Sequence, residues 1–171
     1  MSVNYNKIPV LIKKIFKNKK GVSVIEILIV VVIISVGLIA LLNAVTSSLK
    51  FSRLMKENDQ AKELAQEALE VVRSFRDGTD WDTDGLGMLA SGTYRLEQTI
   101  DDPPKWNLVS DLDGESIGIF TRMVILERVS RDSNDNIVSL GIDDPNSRKI
   151  TATVSWQGKT VEISTLLTNW K

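Results

Sequence analysis

The chain has 171 residues, with 21 Lys+Arg against 22 Asp+Glu, no histidine and no cysteine. Without histidine it lacks the usual near-neutral general base and metal ligand, and without cysteine it lacks thiol nucleophiles and disulfides. The formal net charge of −1 averages two oppositely charged parts. Residues 1 to 21 carry six lysines (Lys7, Lys13, Lys14, Lys17, Lys19, Lys20), no arginine and no acid; the remainder has 15 Lys+Arg against 22 Asp+Glu, a formal −7.

From Val22 to Leu42 the chain runs 21 residues with one charge, Glu26. A run of this length reads as one membrane-spanning helix in the lipid bilayer, and the lysines before it favour a cytoplasmic N-terminus and an extracytoplasmic C-terminal part. A carboxylate near the bilayer centre costs about 2.5–3.5 kcal/mol on translocon insertion scales. Glu26 comes five residues into the run, so its depth and cost are smaller, and a snorkelling glutamate is its bland explanation. A secretory signal has an apolar core of only ~7–15 residues and small residues at its cut site, which this run and Asn43-Ala44-Val45 do not offer. A plain signal anchor fits the hydropathy but leaves Gly21 and Glu26 without a purpose.

The stretch Lys20-Gly21-Val22-Ser23-Val24-Ile25-Glu26, with the apolar Ile27–Ile33 run behind it, resembles the type IV pilin-like family, whose members share a prepilin cleavage and methylation motif. That resemblance implies cleavage after Gly21 by an inner-membrane prepilin peptidase and methylation of the new amine on Val22. It implies that Glu26 docks the subunit among other pilin-like subunits, on an inner-membrane assembly platform. Val22 departs from the family, which usually has Phe or Met there. The physics agrees with the implied role: an α-amine at Val22 is cationic near neutral pH, and a neighbouring subunit's carboxylate would attract it strongly in low dielectric. Paired, the two charges compensate each other; alone, each is a liability. Ser35-Val36-Gly37-Leu38 and the final Thr168-Asn169-Trp170-Lys171 resemble minor pilins more than major ones. The resemblance therefore implies a structural filament subunit, with a pseudopilin of a type II secretion or competence system as the close alternative. A signal-anchored extracytoplasmic binding domain is the alternative of another class.

The helix is expected to continue. Ser47 to Arg76 contains no Gly or Pro, and Leu54, Ala61, Leu64, Ala65, Ala68, Val72 and Phe75 recur in steps that mark one helical stripe. Lys56, Glu63, Glu67, Glu70 and Arg73 take the opposite side, with Arg53–Glu57 and Glu70–Arg73 at supportive spacing. Asp77-Gly78 supplies a stop. Val22 to Arg76 as one helix would be about 80 Å long, with Gly37 a candidate bend.

Beyond Gly78, residues 79–92 read as an exposed loop anchored by Trp81. Strands are expected at 93–100, ended by Asp101-Asp102-Pro103-Pro104, and at 117–129, with Ile117, Ile119, Met123 and Ile125 on one face. A polar turn at 130–136 leads to a returning strand at 137–140. Ile150, Ala152, Val154 and Trp156 alternate with polar residues up to Gln157-Gly158, after which Val161, Ile163, Thr165 and Leu167 alternate again, the pattern of a hairpin. The fold class is α+β, with a long N-terminal helix packed on a C-terminal antiparallel sheet as in pilins. Its divisions are a cytoplasmic leader at 1–21, a transmembrane or filament-core helix at 22–42, an amphipathic continuation at 43–78 and a β-rich extracytoplasmic part at 79–171, enough for one modest core.

Asp82–Gly85, Asp111–Glu115 and Asp132–Asn136 place oxygen ligands at alternate positions, as calcium loops do, but none completes an EF-hand. Asp and Gly gather in loops for turn reasons alone, so no metal or other cofactor is assigned. No phosphate loop or nucleophile elbow is present, so no catalytic residue is assigned and no enzyme is expected. The acidic outer part disfavours nucleic acid, leaving only a local cluster of Arg122, Arg128 and Arg131.

Overall fold

The computed structural model describes residues 21–170, and the chain separates into two units, 1–51 and 52–171. The lysines expected to form the leader, at positions 7 to 20, lie outside the described residues. Helix α1 spans Val24–Gly78, two residues later at each end than the sequence suggests and unbroken at Gly37. Its apolar part is long and apolar enough to cross a membrane. In the first unit every described side chain is exposed, and two of its hydroxyls turn inward on the helix. Ser35 Oγ donates to the Val31 carbonyl at 2.7 Å and Thr46 Oγ1 to the Leu42 carbonyl at 3.0 Å, so these polar groups need no outside partner.

In the second unit α1 buries Ala61, Ala65, Ala68, Leu69, Val71, Val72 and Phe75. Three alanines of that stripe, Ala61, Ala65 and Ala68, are fully buried. The stripe starts later than expected, because Leu54 is exposed and Glu57 is the first buried residue.

The sheet has seven antiparallel strands: β1 (Gly92–Gln98), β2 (Trp106–Ser110), β3 (Glu115–Ile117), β4 (Phe120–Arg131), β5 (Ile137–Val138), β6 (Ile142–Trp156) and β7 (Lys159–Thr168). The main order is β2-β1-β4-β6-β7. β4 is the spine. One of its edges pairs with β6 throughout, while the other takes β3, β1 and β5 in succession, at Arg122↔Glu115, Val124↔Tyr94 and Ser130↔Val138. One long helix on one antiparallel sheet is the α+β arrangement expected, consistent with a pilin-like fold.

Three expectations need correction. The strand placed at 117–129 divides: Gly118 (φ 61°) and Ile119 turn the chain, and Ile117 pairs with Phe120. Its inward face is Phe120, Arg122, Val124 and Leu126, whereas Ile119 is 52% exposed and Met123 and Ile125 are only half-buried. Both faces carry apolar residues, and Arg122 interrupts the true one, so the alternation alone selects the wrong parity. Third, β6 begins at Ile142 rather than Ile150. The partner of β4 jumps from Arg148 to Asp144 between Arg128 and Val129, a bulge that accommodates Pro145 inside a strand.

The last hairpin forms as read. Ile150, Ala152, Val154 and Trp156 are buried, and Gln157 (φ 45°) and Gly158 (φ 75°) supply the two left-handed residues of its turn. The 79–91 segment is not merely an exposed loop. Trp81 is buried, with its Nε1 donating to the Pro145 carbonyl at 3.0 Å, and Leu86 is 0% exposed.

A fragment from Leu49 onward is expected to fold as a soluble, acidic, monomeric α+β domain, and to lose cooperative melting by circular dichroism when residues 150–167 are removed. Within it Leu126→Ala should cost roughly 2–5 kcal/mol in urea unfolding. Met123→Ala should cost clearly less, and equal losses would refute an inward face built on Val124 and Leu126.

Candidate processing and assembly site

Gly21, Val22 and Ser23 precede the first helical turn. The Ser23 carbonyl accepts from the Glu26 amide at 2.9 Å and from the Ile27 amide at 3.2 Å, which makes Ser23 the N-cap of α1. Serine is favoured there because its side chain competes for the unpaired amides of the first turn. Ser23 and Glu26, three apart, have the spacing of a capping box. The spacing is in the sequence, but that Ser23 begins the helix is seen in the hydrogen bonds of the first turn.

Glu26 thus lies in the first turn of α1, where the positive end of the helix favours a carboxylate. The same field disfavours a cation. A free ammonium at Val22, just ahead of that end, needs an acidic partner more than an amine in open chain would. The structure places Gly21, Val22 and Glu26 on one exposed segment. A Cβ added at Gly21 would meet nothing within 4 Å, so the described fold does not itself demand glycine there.

The second unit accounts for its conspicuous charges internally. Arg122 is 3% exposed, with Nη2 at 2.7 Å from Glu115 Oε2 and Nη1 at 3.2 Å from Glu67 Oε1, tying the helix to the sheet. Arg128 Nη1 donates to Asp143 Oδ2 at 2.9 Å, and Arg131 Nε to Asp144 Oδ2 at 2.7 Å. Each arginine of the suggested basic cluster therefore faces a carboxylate. The Asp-rich loops use their own carboxylates as caps. Asp84 Oδ1 accepts from the Asp80 amide, Asp111 Oδ1 from the Asp113 amide, and Asp132 Oδ1 from the Asn134 and Asn136 amides. Among the described residues no group of three or more acidic side chains is placed to hold a metal ion.

Asp144 is held below the ordinary carboxylate range, first by the Ser147 hydroxyl and then by the Arg131 guanidinium. A lowered folded value contributes stability that is complete above the unfolded carboxylate value of about 4 and is lost as pH falls through the folded one. Asp144→Asn should therefore lower the melting temperature at pH 7 and flatten its decline on acidification to about pH 2. Parallel acid limbs for the two proteins would contradict this.

Against known proteins, the model of the prokaryotic N-terminal methylation motif matches residues 16–42. No curated protein and no solved structure matches the chain. The matched span contains Gly21, Val22 and Glu26 and ends with the apolar run, so at its N-terminus the chain carries the prepilin signature of type IV pilins.

Proposed function

We propose that the chain is a structural subunit, of the minor kind, in a type IV pilus-like filament, cut by prepilin peptidase after Gly21 and assembled through α1. The observation that carries this reading is that the methylation-motif match coincides with an apolar helix segment whose described side chains are all exposed. Such a segment needs a covering from outside the chain, first lipid and then the helices of other subunits. The leader stays in the cytoplasm, residues 22–42 span the inner membrane or fill the filament core, and 43–171 is the extracytoplasmic part. Glu26 is the assembly carboxylate, positioned by the Ser23 cap to meet the Val22 amine of a neighbour. The minor assignment rests on Ser35-Val36-Gly37-Leu38 and the Thr168–Lys171 ending.

The mature protein should begin at Val22, with or without a methyl group. Gly21→Leu should block the cut, since a bulky side chain obstructs the peptidase while meeting nothing in the described fold. Intact mass of membrane or filament protein decides, and a dominant species retaining residues 1 to 21 would leave only the signal anchor.

Glu26→Gln should preserve or improve membrane insertion, because a charge costly in lipid is gone, and should sharply reduce incorporation into filaments, because the partner amine is left unpaired. Comparing sheared surface material with membrane fractions measures both. Normal incorporation of the variant would reduce Glu26 to a helix-capping residue.

A further inference from the structure

The sheet leaves one long edge open. β7 pairs with β6 over all ten of its residues and ends the strand order, so among the described residues its other side has no strand partner. The opposite edge, β2, has only five residues. Open edges are usually blunted by proline, bulges or charge. β7 has no proline, an unshifted register with β6, and only Lys159 and Glu162 as charges. Beside it runs a groove of about 560 Å³ between the helix flank and the strand, walled by Glu63, Glu67, Glu70 and Arg73 on α1 and floored by Ile163 and Thr165.

The spacing of the wall says what would fit. Glu63 and Glu67 are one helical step of four residues apart, about 6 Å along the axis. Alternate side chains of a strand are about 6.8 Å apart. A strand added to β7 would thus present every second side chain to the acidic flank at nearly matched intervals, its amides completing the ladder. Three carboxylates face one guanidinium there; Arg73 pairs with Glu70, Glu67 also meets Arg122, and Glu63 has no ion pair among the described residues.

We infer that the β7 edge and the adjacent helix flank receive an extended segment of another polypeptide that carries Lys or Arg at alternate positions, by strand addition. A second copy of β7 is a poorer occupant, since its single lysine cannot supply the alternating cations. This contact is separate from the apolar run at residues 22–42 and does not depend on its role.

The test uses the full chain in detergent micelles and a capped octapeptide alternating lysine with valine or threonine. The peptide should bind saturably, weaken as salt rises, and protect amides of residues 159–168 from hydrogen exchange. The same peptide N-methylated on the amides that would join the ladder should fail to bind, a control that leaves the protein untouched. Glu63→Lys with Glu70→Lys should weaken binding by about fivefold or more, while a glutamate-for-lysine peptide should then gain. Equal binding of the N-methylated peptide, protection at the β3–β4 turn instead, β7 pairing between copies of the chain, or no saturable binding would each overturn the inference.

Discussion

The apolar run from Val22 to Leu42 sets the terms for the rest of the molecule, because its side chains are covered by nothing among the described residues. A helix can satisfy its own backbone in lipid, and this one also returns its Ser35 and Thr46 hydroxyls to its own carbonyls. What it cannot satisfy internally is its apolar surface. One polypeptide therefore carries two solvation problems, an outer surface that demands a nonpolar surrounding and an acidic domain that demands water. The second unit answers its problem by folding on itself, so the first is left to the environment or to other chains.

Charge placement follows the same division. In the first unit the described charge before Lys50 is Glu26, at the one helix end where the backbone field favours it. In the second unit cations are consumed locally: Arg122 is enclosed by carboxylates from α1 and β3, and Arg128 and Arg131 are bound to the residues ahead of the β6 bulge. The second unit, net negative in charge, thus presents few free basic groups among its described residues.

How much of this is legible in the letters depends on the strength of each periodic signal. The long helix, its stop at Gly78 and the final hairpin are legible because each combines a clear period with its own punctuation. The inward face of β4 is not. Val124 and Leu126 alternate with Met123 and Ile125, so both parities are apolar, and the core side also holds an arginine whose partners come from distant segments. Leu86 is hidden by its Gly and Asp neighbours, which read as loop. β6 reads too short because Pro145 argues against a strand unless a bulge is foreseen. At the candidate site, Gly21 and Glu26 stand out by their strangeness in context, whereas the capping by Ser23 becomes visible only with the hydrogen bonds of the first turn.

The last described residues carry a consequence for how the domain matures. The Asn169 amide reaches the Asn146 carbonyl at 2.9 Å, Leu167 is buried in the core, and the Arg76 guanidinium lies over the Trp170 ring at 5.8 Å, so the last described residues are fastened without a covalent cross-link. Closure therefore waits on no oxidant and no thiol-exchange catalyst. The domain completes itself once β7 pairs with β6, and reducing surroundings leave it closed.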